Sequence, residues 1–416
     1  MRILHCADLH IGSSLESGLL PDRAALRRRE INDSISRIAA MARRHRIDAC
    51  LIAGDLFDTD YVTPETWKRC LAAMASATPV RFLILPGNHD GRFLHAREQR
   101  AGSGDPADRL PSNVKILTGG HSVRMGSTRV FAAETADDIR YIKADIHLFN
   151  IVMMHGTVSG QSFTFADGTV VPFSALKNRN LDYGALGHVH AAGAAQVDPR
   201  LTLCWPGCLE ARGYDEPGKK GFIVLNTENG SRRFVRAALR ECAYVSCALD
   251  KEDTEGDILN KIHQSLQDVP EENLVYLHLE GSAKEEEFNP ASLQKMLLQE
   301  YFGVRIDTSD LTLLGRGQQL NTPHAAPAEE DEDATRIWNP QEESALAADA
   351  DDWTREERPL SRKMTEQEEV EPDAGSQIAL REIYRELVRD AGLAPQTADE
   401  VLKAGFAALD GEELPL

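Results

Sequence analysis

The feature that most constrains this chain is a recurrent pattern: an apolar run, a glycine or turn, then an aspartate, asparagine or histidine. The clearest instance is Arg81-Phe82-Leu83-Ile84-Leu85-Pro86 followed by Gly87-Asn88-His89-Asp90. Alone, such a string is as readily turn chemistry as a site. Four more segments repeat it: Asp8-Leu9-His10, Gly54-Asp55-Leu56-Phe57-Asp58, His155-Gly156 and Gly187-His188-Val189-His190. Together they supply carboxylates, imidazoles and one carboxamide at strand ends, the donor set of a two-metal site.

With 416 residues the chain is expected to form two or three domains. It contains no apolar run long enough to cross a membrane, and Met1-Arg2-Ile3-Leu4 enters a strand without a charged leader, so a soluble cytoplasmic protein is expected. The seven cysteines include no Cys-x-x-Cys pair and read as buried reduced thiols. The net charge of −20 is unevenly spread: residues 322–374 hold 17 Asp or Glu against 5 Lys or Arg, which is −12 and leaves −8 elsewhere. Charge alone therefore neither supports nor excludes a polyanionic substrate.

In chain order, a short strand at residues 2–6 delivers Asp8. A helix capped by Asp22 follows, with Ile31, Ile35, Ile38 and Ala42 as its apolar stripe and Arg27, Arg28, Arg29, Arg43 and Arg44 as its solvated face. The strand Ala49–Ala53 delivers Asp55, a helix carries Trp67, Cys70, Leu71 and Met74, and the next strand delivers Asn88 and His89. This βαβαβ order implies a parallel sheet, whose ligands collect beyond the carboxyl ends of its strands.

From Val114 the strands shorten, through 129–133, 148–154, 181–186, 201–205 and 221–225, and suggest a second, partly antiparallel sheet. This first domain is expected to span 1–235. A β-α-β-α-β unit is expected at 243–312, an acidic disordered linker at 322–374 and two amphipathic helices within 376–411. The helices carry the stripes Leu380, Ile383, Leu387, Ala391 and Val401, Leu402, Phe406, Leu409, and they read as a docking module for a partner.

Side chains two apart in an extended segment point the same way, so Asp8 and His10 reach one ion, and His188 and His190 converge on a pair. Asp55 is the candidate bridge, Asn88 supplies a neutral oxygen and His155 a further imidazole. Mixed His/Asp/Asn ligation favours manganese, zinc or iron over magnesium or calcium. Two such ions would activate a water and stabilise in-line displacement at phosphorus, so the expected reaction is phosphoester hydrolysis. His89 should point toward the leaving oxygen as the catalytic group. Asp58 and Asp90 are candidates to orient imidazoles, with turn-capping as their alternative role.

These strings, in this order, resemble the calcineurin-like metallophosphoesterase superfamily, and their finer wording resembles its DNA-repair exonuclease branch, the SbcD family with its YhaO-like relatives. The resemblance extends through Trp205-Pro206-Gly207-Cys208 and Lys219-Lys220-Gly221-Phe222, with Cys208 standing where that family usually has serine. It implies an α/β fold, a two-sheet sandwich flanked by helices, with a small α/β capping domain that binds DNA and a C-terminal helical segment. It also implies a manganese-dependent exonuclease and endonuclease on DNA ends in double-strand-break repair. Such a nuclease is dimeric and works with an SbcC-like coiled-coil ATPase. By motif, Asp8, His10, Asp55 and His190 would hold one ion, and Asp55, Asn88, His155 and His188 the other. The alternative is a metallophosphoesterase for a nucleotide or phosphorylated metabolite.

Overall fold

The computed structural model describes residues 1–15, 19–103, 108–159 and 169–315. The expected acidic linker 322–374 and helical segment 376–411 lie outside the described residues. The chain begins β1 (Arg2–Cys6), α1 (Pro21–Asn32), α2 (Ser34–Arg44), β2 (Ala49–Ala53), α3 (Pro64–Ser76), β3 (Arg81–Leu85), α4 (Gly91–Ala101) and β4 (Val114–Ile116). It continues with β5 (Ser122–Met125), β6 (Thr128–Ala132), α5 (Ala136–Arg140), β7 (Phe149–Ser159), β8 (Thr169–Pro172), α6 (Phe173–Leu176) and β9 (Tyr183–Gly187). Then come β10 (Gly193–Gln196), β11 (Thr202–Trp205), β12 (Gly221–Asn226) and β13 (Arg232–Arg236).

Two sheets pack face to face. One has the order β13-β12-β1-β2-β3-β4, with β1 to β4 parallel; the other runs β10-β11-β9-β7-β6-β5 and is mixed, with β8 paired to β7. Their shared core is built from alternate residues of both sheets, among them Leu51, Leu83, Ile151 and Ala185. The opposite face of the first sheet, Leu4, Cys50, Ile52 and Phe82, packs on Ile35 and Ile38 of α2 and Trp67 and Met74 of α3. The outer face of the second sheet, with Val152 and Leu203, packs on Ile139 of α5 and Leu176 of α6. The result is a helix-flanked two-sheet sandwich. All seven cysteines are buried and none is paired in a disulfide.

A third, smaller layer follows: β14 (Cys242–Leu249), α7 (Glu255–Leu266), β15 (Leu274–Lys284), α8 (Pro290–Glu300) and β16 (Gly303–Leu314). The three strands are parallel, and both helices cover one face through Ile258, Ile262, Leu293 and Leu297. Thr254 and Asp257 form a capping box that starts α7, and Asn289 with Pro290 starts α8. Among the described residues no helix is long and apolar enough to cross a membrane.

Three expectations need correction. The strand near Val114 and the strand at Gly221 belong to the first sheet, because the chain returns to pair β12 antiparallel with β1. Asp22 does not cap a helix; α1 starts at Pro21, and a break at Asp33 separates it from α2. Arg27 is not on a solvated face. It is fully buried and paired with Glu30 at 3.0 Å and Glu210 at 2.8 Å, and Arg240 joins Glu30 at 2.8 Å. A sequence pattern cannot reveal a partner so far along the chain.

Candidate metal centre

The five strings meet where the two sheets abut. Four of their residues, Asp8, His10, Asp55 and His188, have left-handed backbone, with φ of 52°, 46°, 49° and 85°. Such conformations cost roughly 1–3 kcal/mol each outside glycine and persist only where the surroundings impose them. Here the surroundings are the backbone bonds of Asp8 N–H to Gly54 C=O and His10 N–H to Asp55 C=O, together with the two sheets themselves.

Asp55 stands at the centre. Its Oδ1 accepts the His89 backbone N–H at 2.9 Å, while Oδ2 lies 3.2 Å from His155 Nε2, 3.9 Å from His10 Nε2 and 4.0 Å from His89 Nε2. Only a glycine fits beside it, since a Cβ on Gly87 would sit 2.1 Å from that Oδ1.

On one side, His10 and His190 bring their Nε2 atoms to 3.2 Å, and Asp8 joins them with an oxygen within 4.8 Å of both. Each ring is held from behind by a carboxylate: Asp58 Oδ1 is 2.9 Å from His10 Nδ1, and Glu216 Oε1 is 2.7 Å from His190 Nδ1. Arg212 ties those carboxylates together, donating from Nη1 to Asp58 at 2.8 Å and from Nε and Nη2 to Glu216 at 3.1 and 3.0 Å.

On the other side, the His155 Nδ1–H donates to the Ala53 carbonyl at 2.9 Å, which turns Nε2 toward Asn88 Oδ1 at 2.8 Å and Asp55. His188 Nδ1 is 3.2 Å from the same Asn88 oxygen, and the His188 backbone N–H donates to both oxygens of Asp8 at 3.0 and 3.1 Å. His89 lies apart, with a side chain 41% exposed, Nδ1 donating to the Asp58 carbonyl at 3.0 Å and its ring edge-on to His10.

The electrostatics follow from burial. Burial works against charge on Asp55, yet His155, His10 and the His89 N–H hold its carboxyl well below the usual range. Burial also opposes charge on His155, but Asp55 outweighs it and the imidazole is pushed up to about 9. Burial pushes His10 and His188 down.

These residues fit a cation. With Nδ1–H committed to Ala53, the Nε2 of His155 faces two oxygen acceptors, an arrangement that needs a proton or a metal between them, and Asp8 and Asp55 place two almost fully buried carboxylates in one cluster. The 3.2 Å between His10 and His190 is also the span of two nitrogens sharing one ion at about 2.0–2.1 Å each.

Asp90 departs from the expectation that it orients an imidazole. Its oxygens accept the Gly87 N–H at 2.9 Å and the Phe57 N–H at 3.1 Å, so it joins two site loops through their backbone; burial, with Asp55 nearby, pushes its carboxyl up to about 7. Glu216 and Arg212 escape the sequence reading. Their only local signal is the turn-rich string Gly213-Tyr214-Asp215-Glu216-Pro217-Gly218. Cys208 is buried, with Sγ 3.6 Å from the His190 carbonyl.

Residues 1–192 match the family model described as calcineurin-like phosphoesterase. The chain is 24% identical over 289 residues to the uncharacterized metallophosphoesterase YhaO of Bacillus subtilis (strain 168), covering 65% of this chain and 67% of that protein. It is 26% identical over 271 residues to SbcD, the nuclease component of SbcCD from Escherichia coli (strain K12), covering 55% and 65%. It is 21% identical over 304 residues to the DNA double-strand break repair protein Mre11 of Methanosarcina acetivorans, covering 68% and 46%. The matches thus span about two thirds of the first two relatives and under half of the third. The family uses divalent metal ions, and the His/Asp clusters described above could hold them. The chain carries a calcineurin-like metallophosphoesterase domain, that of a metal-dependent hydrolase with nucleases among its homologues.

Proposed function

We propose that the protein is a two-metal-dependent DNA exonuclease and endonuclease that hydrolyses phosphodiester bonds at DNA ends. The observation that carries this reading is the position of Asp55 Oδ2 between two donor groups, His10 with His190 and Asp8 on one side, Asn88 with His155 and His188 on the other. The first group with Asp55 would hold one ion and the second group with Asp55 the other; manganese suits this donor set, as would zinc or iron. Such ions supply Lewis acidity toward water and phosphate oxygens.

The chain's own residues do the rest. Asp58 and Glu216 fix His10 and His190 in the tautomer that presents Nε2. His89, with Nδ1–H committed to the Asp58 carbonyl, keeps Nε2 turned to the open side of the site. There it stabilises charge on, or delivers a proton to, the leaving oxygen. DNA as substrate, action in break repair in the cytoplasm, a homodimer and an SbcC-like ATPase partner are supported by the nuclease relatives. Docking of that ATPase by 376–411 is supported by the two apolar stripes there.

The test is manganese-dependent degradation of end-labelled linear duplex DNA, beside the His89→Ala variant. Wild-type label should be lost, and the variant should be about 10²–10⁴-fold slower while retaining its manganese. Cleavage of bis-p-nitrophenyl phosphate with no action on DNA, even with the ATPase added, would overturn the nuclease reading in favour of a small-substrate phosphoesterase.

A further inference from the structure

The face of the three-stranded sheet turned away from α7 and α8 carries side chains that the fold does not use. Register places Tyr244, Tyr276 and Arg305 side by side across β14, β15 and β16, with Ser246, His278 and Asp307 in the next row. Tyr244 stacks on Tyr276 with ring centroids 5.5 Å apart and planes 14° from parallel, and on His278 at 6.1 Å and 21°. Tyr244 is 54% exposed, although a tyrosine on a sheet with a free choice of packing would bury its ring. The rings are held in place: Asp307 Oδ2 accepts the Tyr276 hydroxyl at 2.9 Å and pairs with His278 Nδ1 at 3.0 Å. This is a fixed, water-facing aromatic stack.

Its lower edge leads to the metal centre. Tyr276 packs against the cluster of Ala211, Tyr214, Cys242 and Leu274, and Tyr214 belongs to the loop that also carries Arg212 and Glu216. A groove of about 270 Å³ runs from Asp58 and Arg212, past Ser13 and Tyr214, to Arg305. The Arg305 guanidinium lies 6.0 Å from the Tyr276 ring centroid, and among the described residues no ion pair takes it. The path therefore has a cation where it meets the stack, and the Asp307 charge is engaged by the stack's own Tyr276 and His278.

We propose that this face is a stacking platform for unpaired bases, on which Tyr244 and Tyr276 receive a single-stranded segment of DNA while Arg305 meets its phosphate backbone at the mouth of the groove. The inference rests on the nuclease reading for the destination of that strand. Duplex bases are hidden from side chains, whereas splayed bases stack on aromatic rings whatever their sequence. The row spacing suits one base per ring, and the groove joins the platform to the site that would cut the strand.

The test is fluorescence anisotropy of a labelled oligothymidylate with the full chain in a chelator, which separates binding from cleavage. Tyr244→Ala should weaken binding about tenfold, Tyr244→Phe should restore it, and an oligomer of abasic linkers should bind both proteins alike and weakly. Equal affinity of wild type and Tyr244→Ala for oligothymidylate would overturn the proposal, as would an equal loss on the abasic oligomer. Hydrolysis of bis-p-nitrophenyl phosphate by the wild type with manganese is measured in parallel. Hydrolysis without Tyr244-dependent binding sinks the platform alone; Tyr244-dependent binding without hydrolysis keeps the platform and sinks the nuclease reading.

Discussion

The two halves of the metal centre hold their imidazoles by different means. His10 and His190 are backed by carboxylates, and one guanidinium, that of Arg212, clamps both. His155 is backed by the Ala53 main chain, and His188 is held by its own backbone bond to Asp8. A carboxylate behind an imidazole raises its basicity as well as fixing its direction, whereas a carbonyl mainly fixes direction. The halves should therefore respond to different substitutions: the first to side chains well away from the ions, the second to backbone crowding.

The largest effect should come from removing what the halves share. Asp55→Ala should abolish turnover and leave no manganese bound on titration calorimetry. One ion per chain surviving would mean that the halves are independent.

Next come substitutions that separate them. Glu216→Ala should weaken one manganese ion about 10–100-fold and spare the other. Gly54→Ala should do the reverse, because Gly54 has φ of +90° and a Cβ there would lie 2.0 Å from His155 Nδ1. Equal weakening of both ions by either variant would remove the distinction.

The smallest effect is on stability in a chelator. The folded His155 keeps its proton to about 9 rather than 6.5, so its contribution is complete below 6.5 and lost as pH rises to about 9. Asp90, raised from 3.8 to about 7, likewise contributes fully below 3.8 and has lost that contribution by about 7. The melting temperature of the metal-free protein should thus fall by a few degrees between pH 6.5 and 9. His155→Gln should flatten this window alone. A melting temperature that rose there would contradict the assignment.

What the sequence made legible was whatever is local. Strand-end strings place Asp8 beside His10 and Asn88 beside His89, because two-residue periodicity and a preceding apolar run suffice to read them. The stripe of Ile31, Ile35, Ile38 and Ala42 is visible for the same reason, and all four are buried. The partners of those groups were not legible. Glu216 meets His190 across 26 residues, Arg212 meets Asp58 across 154, and Arg27 disappears into the interior against Glu210. Charged residues in a string carry no mark of which opposite charge the fold will bring to them.

The left-handed backbone of Asp8, His10, Asp55 and His188 bears on ion choice. A cage whose walls are set by main-chain torsion cannot contract or widen as one set by side-chain rotation can. Such a cage sorts occupants by radius, and it should accept one size of ion while turning away others that carry the same charge.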